Sequence, residues 1–182
     1  MDLIFNRILE ECSDFLSENG SNPLVKTLKK DTRHLRKVKV RTKRKNEPFI
    51  KTFNKAFDDS FHNIYGRSIF CNGNHTKKIN ENMELVYVFP INGFKFLFNP
   101  NVEYHMEYDK TFKEIKGKLS STDIKNIMVD MIEYSYSSCK YTLKEASFSG
   151  KEVIIYNIPY YYAVRVDRHP DYERFLSILK NQ

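Results

Sequence analysis

Apolar residues in this chain change their repeat from one segment to the next, and that change constrains the fold more than any other feature. Residues 2 to 18 place Leu3, Ile4, Ile8, Leu9, Cys12, Phe15 and Leu16 three and four positions apart, which predicts an amphipathic helix ending near Asn19-Gly20. Asn22 before Pro23 reads as a cap followed by a first helical position, so a second helix is expected from there to about His34. In RKVKVRT the repeat drops to two. Val38 and Val40 alternate with Lys37, Lys39 and Arg41, the rhythm of a half-buried strand. The helical repeat returns after Pro48, with Phe49, Ile50, Phe53, Phe57, Phe61 and Ile64 on one stripe that Gly66 stops.

Beyond Gly66, strands predominate. RSIFCNG is expected as a short strand running into a turn, and NHTKKINEN as a polar turn or one short helix. ELVYVFPI and FKFLFNP are expected as the two arms of a hairpin turned at Asn92-Gly93. STDIKNIMVDMIEYSYSSC takes Ser120, Ser121 or Thr122 as its cap and continues as a helix through Ile124, Ile127, Met128, Met131 and Ile132. EVIIY and YYYAVRV are strands separated by Asn157 to Pro159, and PDYERFLSILKN is a final helix. Helices and strands mixed without a βαβ alternation give an α+β class. A length of 182 residues fits one domain, with a helical N-terminal region over 1–35 and a core over 36–182.

The 14 phenylalanines and 12 tyrosines bring enough buried area per residue to argue against disorder. No apolar run approaches the roughly 20 residues that span a bilayer, and MDLIFNRILEECSDF is acidic and amphipathic, so neither a membrane partner nor export is expected. Cys12, Cys71 and Cys139 lack CxxC spacing, which predicts no disulfide framework or cysteine-rich zinc site and fits a reducing cytosol. His34, His62, His75, His105 and His169 are scattered without ligand spacing, so no metal site is expected. The net charge of +7 concentrates between Lys26 and Lys45, where Asp31 is the only acid. Two readings of that segment stay open: a solvated basic face, or a surface for nucleic acid or another phosphate-bearing partner whose affinity falls with salt.

No G-x-S-x-G turn, P-loop, G-x-G-x-x-G or H-E-x-x-H motif is present. One carboxylate stands out. In SGKEVIIYNIP, Glu152 heads an apolar run, either as a solvated strand end beside the Ser149-Gly150 turn or as a group placed for chemistry.

An early strand with an outward Arg41, a middle strand opening on a small polar turn with Arg67, Ser68, Phe70 and Asn72, and a late strand headed by Glu152 together resemble the ADP-ribosyltransferase superfamily. VRTKRKNEP, RSIFCNG, VYVFPINGFKF and SGKEVII also look, in that order, like segments of uncharacterised bacteriophage-encoded ADP-ribosyltransferase-like proteins, over roughly residues 36 to 166. The resemblance implies a mostly antiparallel split sheet around a cleft with flanking helices, and NAD as the substrate that donates ADP-ribose. It implies Glu152 and Arg41 as the catalytic pair, and NAD binding by Arg41, Arg67, Ser68, Phe70, Asn72, His75 and Tyr161. Ser68 or Asn72 takes the middle-strand role, and Phe70, Tyr160 or Tyr161 is expected to stack on nicotinamide. Members that modify arginine carry Glu or Gln two residues before the catalytic Glu; here that position is Gly150, so an arginine acceptor is not implied.

Such a reaction needs a carboxylate because positive charge develops on the ribose as its base departs. Arg41 suits phosphate or ribose because guanidinium is always charged and presents a fixed fork. The function implied is mono-ADP-ribosylation of a host macromolecule in a bacterial cytoplasm. The basic segment would attract an acidic target, nucleic acid or a protein bound to it. The alternative from another class is a non-catalytic basic protein that binds nucleic acid or inhibits a host function through the same segment.

Overall fold

The computed structural model describes residues 3–19, 22–33, 35–40, 48–61, 68–73, 80–101, 105–136 and 140–166. Among them are six α-helices and seven strands: α1 Leu3–Glu11, α2 Ser13–Asn19, β1 Leu24–Lys29, β2 Leu35–Lys39, α3 Pro48–Ser60, β3 Ser68–Gly73, β4 Met83–Pro90, β5 Lys95–Phe98, α4 Tyr108–Ile115, α5 Ser121–Ser135, α6 Leu143–Phe148, β6 Glu152–Tyr156 and β7 Tyr160–Arg165. The strands form one sheet in the order β2-β7-β4-β1-β3-β6-β5, with every ladder antiparallel, and the class is α+β. Among the described residues no helix is long and apolar enough to cross a membrane.

Two expectations are corrected. Residues 22 to 34 do not form a helix: Leu24–Lys29 is β1, in the middle of the sheet, paired with β4 along its whole length from Leu24↔Val88 to Lys29↔Met83. The region 1–35 is therefore part of the core rather than a helical annex. Leu24 and Leu28 fit a helical repeat and a two-residue repeat equally well, and ladder bonds to β4 decide between them. Asn19 and Asn22 close the turn that ends α2 by bonding each other's carbonyls, and Pro23 stands just ahead of the strand, where its missing N–H costs no ladder bond.

The second correction concerns Asn92-Gly93, which is not a hairpin turn. Both edges of β4 are already taken, by β1 and β7, and β5 lies at the sheet's edge beside β6. Asn92 instead ties down the junction of α1 and α2. Its N–H donates to Glu11 O (2.6 Å), its amide donates to Glu10 O and Ser13 Oγ, and its side-chain oxygen accepts from the Asp14 N–H.

That connection also shows that the sheet is bent. Residues 91 to 94 can bridge about 18 Å at full extension, whereas four strand spacings in a flat sheet come to about 19 Å before any offset along the strands. β1 and β3 share only two residue pairs, Leu24↔Gly73 and Val25↔Asn72, the shortest ladder in the sheet and the one that least resists a bend. Phe98, Val153 and Ile155 of β5 and β6 accordingly share one buried cluster with Val88 and Ala163 of β4 and β7.

Two helical layers complete the core. Phe5, Ile8, Cys12 and Phe15 join the first cluster, with Phe15 edge-on to Phe89 and Phe94 at 6.0 and 5.9 Å. The long amphipathic stretch is interrupted at Cys12, whose thiol lies 3.5 Å from Phe89 O. In the second cluster the expected aromatic stripe of α3 packs with α4 and α5 against Leu97 and Ile154. Ser120 caps α5, accepting from Asp123 N–H at 3.1 Å. Neither α4 nor α6 is among the expected helices, although Tyr108, Phe112 and Ile115 recur at helical spacing in α4 and α6 carries a full capping box between Thr142 and Glu145. The expected helix after Pro170, most of NHTKKINEN, and Ile64 with its Gly66 stop lie outside the described residues.

Candidate functional site

β3 and β6 pair side by side, with Ser68 opposite Tyr156, Phe70 opposite Ile154 and Asn72 opposite Glu152. Residues directly opposite in an antiparallel ladder share a face, so Ser68, Phe70, Asn72 and Glu152 lie on one side of the sheet. The helices α3, α4 and α5 cover that side through the second cluster, to which Ile154 and Phe70 belong. Glu152 is only 2% exposed, which corrects the reading of it as a solvated strand end.

A buried carboxylate must be hydrogen-bonded or paired. The Tyr136 hydroxyl donates to Glu152 Oε1 at 2.5 Å. Tyr136 is the C-cap of α5: its backbone N–H bonds Ile132 O while its own backbone turns extended, leaving the helix axis. Its ring is wedged edge-on against Phe57 (5.6 Å between centroids) and Phe61 (6.4 Å). Behind it, the Asn99 amide donates to Tyr108 OH at 2.8 Å, and Ser135 also hydrogen-bonds Tyr108. Asn99, Tyr108, Ser135, Tyr136 and Glu152 are all buried. Burial, then the charge of Glu152 and the bond to it, push the Tyr136 phenol well above its ordinary range. Burial likewise raises Tyr108, against hydrogen bonds from Ser135 and Asn99 that oppose the rise. Both phenols stay protonated at neutral pH, so Tyr136 is a dependable donor.

Beside the short ladder of β1 and β3, the Lys26 ammonium reaches across from β1 and donates to Phe70 O at 2.8 Å, satisfying a carbonyl where the two strands part. Cys71, one residue on, points to the opposite face. Burial first, with the charge of Glu152 adding and Lys26 opposing, pushes its thiol up to about 12, so it is no nucleophile at neutral pH. Gly73 ends β3 where α6 crosses; a Cβ there would sit 2.0 Å from Ser147 O. Gly150 has φ +71°, so the Glu or Gln of arginine-modifying enzymes would be strained at this position.

The structure thus brings together Glu152, Asn72, Ser68 and Phe70. Arg41, Arg67 and His75 lie outside the described residues. The strand leading to Arg41, β2, is at the sheet's far edge, with β7, β4, β1 and β3 between it and β6. Tyr161 is buried in the first cluster, paired with Val38 and Pro90 on the face away from Asn72. Tyr160 is held elsewhere too: its hydroxyl donates to Glu11 at 2.8 Å and the Lys37 ammonium stands 3.4 Å over its ring.

Among the described basic residues of the segment only Arg36 is buried, 2.6 Å from Glu84 and 3.3 Å from Asp31; the exposed Arg33 forks onto Asp31. Arg165 approaches the other Glu84 oxygen at 3.2 Å, and both Glu84 oxygens sit within ion-pair distance yet out of hydrogen-bond alignment with the guanidinium groups. Lys29, Lys30 and Lys39 are exposed. Among the described residues no three His, Cys, Asp or Glu side chains gather as metal ligands.

Sequence patterns missed the Tyr136 group because a tyrosine at a helix end carries no positional signal. Tyr134, two residues earlier, is 88% exposed. Asn99 had only the weak cue of an Asn-Pro turn after a strand. Compared with family models, with curated proteins and with solved structures, the chain matches none of them.

Proposed function

We propose that the protein is an NAD-dependent mono-ADP-ribosyltransferase, of the kind carried by bacteriophages, that modifies an acidic host macromolecule, nucleic acid or a protein bound to it. One observation carries the reading: Glu152 heads β6 directly opposite Asn72 on β3, on one face with Ser68 and Phe70, and is buried against a protonated phenol. Ser68, Phe70 and Asn72 alternate along β3 and share a face in any strand; what supports the reading is that Glu152 of β6 lies on that same face, directly opposite Asn72.

Carboxylate, amide, hydroxyl and aromatic ring are a donor set suited to a nicotinamide riboside. NAD supplies a ribose whose bond to nicotinamide breaks heterolytically, with the electron pair leaving on the base. Glu152 accepts a hydrogen bond from a sugar hydroxyl and offsets the positive charge on that sugar; in a site this dry the effect amounts to several kcal/mol. The Asn72 side chain, partly exposed, offers donor and acceptor to the carboxamide or ribose, and the half-buried Phe70 offers a ring face. Exposed Lys29, Lys30 and Lys39 draw an anionic target by long-range attraction.

The test is nicotinamide release and label transfer from adenylate-labelled NAD. Wild-type protein is expected to consume NAD, and E152Q, folded by circular dichroism, to lose at least about 100-fold in kcat. No NAD binding at millimolar concentration, with salt-dependent nucleic-acid binding retained, would leave the non-catalytic binder instead.

A further inference from the structure

The hydrogen bonds beside Glu152 link Ser135 and Asn99 to Tyr108, Asn99 to Tyr136, and Tyr136 to Glu152 Oε1. We infer, resting on the reading of Glu152 as the reactive carboxylate, that Tyr136 is a positioning residue: its hydroxyl fixes the Glu152 carboxylate in a single orientation, and the Asn99–Tyr108–Ser135 cluster with the Phe57–Phe61 wedge fixes Tyr136.

The donor placed against Glu152 Oε1 is a phenol with two torsions and one ring plane, a side chain that directs an oxygen without bringing a charge of its own. The ring's freedom is removed twice, by the edge-on contacts to Phe57 and Phe61 and by the extended backbone at the end of α5. Every polar partner in the cluster is buried, so no water competes for the bond. Because the phenol is pushed above its ordinary range, it does not ionise beside the carboxylate.

Tyr136→Phe keeps the ring and removes only the hydroxyl. Nicotinamide release by Y136F is expected to show kcat lower by about 10- to 100-fold, the scale of a small misplacement of a reacting group, with KM for NAD unchanged. In an E152Q background the same substitution is expected to change nothing further, because the oriented group is already gone. A merely structural role would lower the melting temperature and leave kcat of the folded fraction intact. Tyr108→Phe, one step more remote, is expected to lower kcat by a smaller factor and serves if Y136F does not fold. Full kcat in folded Y136F, or in folded Y108F where Y136F does not fold, while E152Q is inactive, overturns this inference alone; full kcat in E152Q, or no nicotinamide release by the wild type, overturns the reading of Glu152 and this inference with it.

Discussion

Two buried charge arrangements in this protein solve the same physical difficulty differently. Glu152 accepts from the Tyr136 phenol, whereas Glu84 is met by two guanidinium groups, Arg36 at 2.6 Å and Arg165 at 3.2 Å. Removing one partner of a buried pair strands the other charge, a loss of about 3–5 kcal/mol in general. Arg36→Ala is expected at the low end, about 3 kcal/mol in urea unfolding, because Arg165 still faces Glu84; a loss under about 1 kcal/mol would mean that the pair is hydrated. Cys12 and Cys71 make a simpler case. Both thiols are buried and pushed up to about 12, by desolvation first in each. A raised thiol pKa leaves almost no thiolate below that value, so at pH 8 peptides carrying Cys12 and Cys71 should be unlabelled by a disulfide reagent in the native protein and labelled in urea, read by mass spectrometry.

At the scale of elements, the position of α6 against β3 is set by close backbone contact at Gly73 together with the packing of Leu143 and Ala146 in the first cluster. Gly73→Ala would drive a methyl group into the Ser147 carbonyl, an atom that cannot rotate away. A loss of about 3 kcal/mol is expected in chemical denaturation, at the upper end of ordinary overpacking; a neutral result would mean that α6 slides freely. β1 shows why a short segment resists reading. LVKTLK has leucines four apart and lysines three apart, so its local pattern permits a helix, and only six pairings to β4 with the Lys26 bond to Phe70 O make it a strand. The phenylalanines of α3 recur four apart, which both repeats accept, but Ile50 beside Phe49 and Ala56 beside Phe57 join them on a helical stripe and would fall on the wrong face of a strand.

For the whole molecule, the short ladder between β1 and β3 separates two regions. One side of the sheet carries the Glu152 face under α3, α4 and α5, and β1 and β2 with the turn after β1 carry the exposed Lys29, Lys30 and Lys39. Changing those three lysines to Gln is expected to lower the salt slope of nucleic-acid binding by up to about 3, one for each phosphate that is no longer neutralised. An unchanged slope would remove these strands from the partner surface. The sequence by itself determined the α+β class, the aromatic helix and a carboxylate at the head of an apolar strand, because period and composition are properties of neighbouring residues. Tertiary structure alone decided that Leu24–Lys29 is a central strand, that Asn92-Gly93 joins distant strands, and that Glu152 is buried against Tyr136. Strand partnership and the desolvation of a charge depend on groups brought together from 16 to many tens of residues away, and local periodicity carries no record of them.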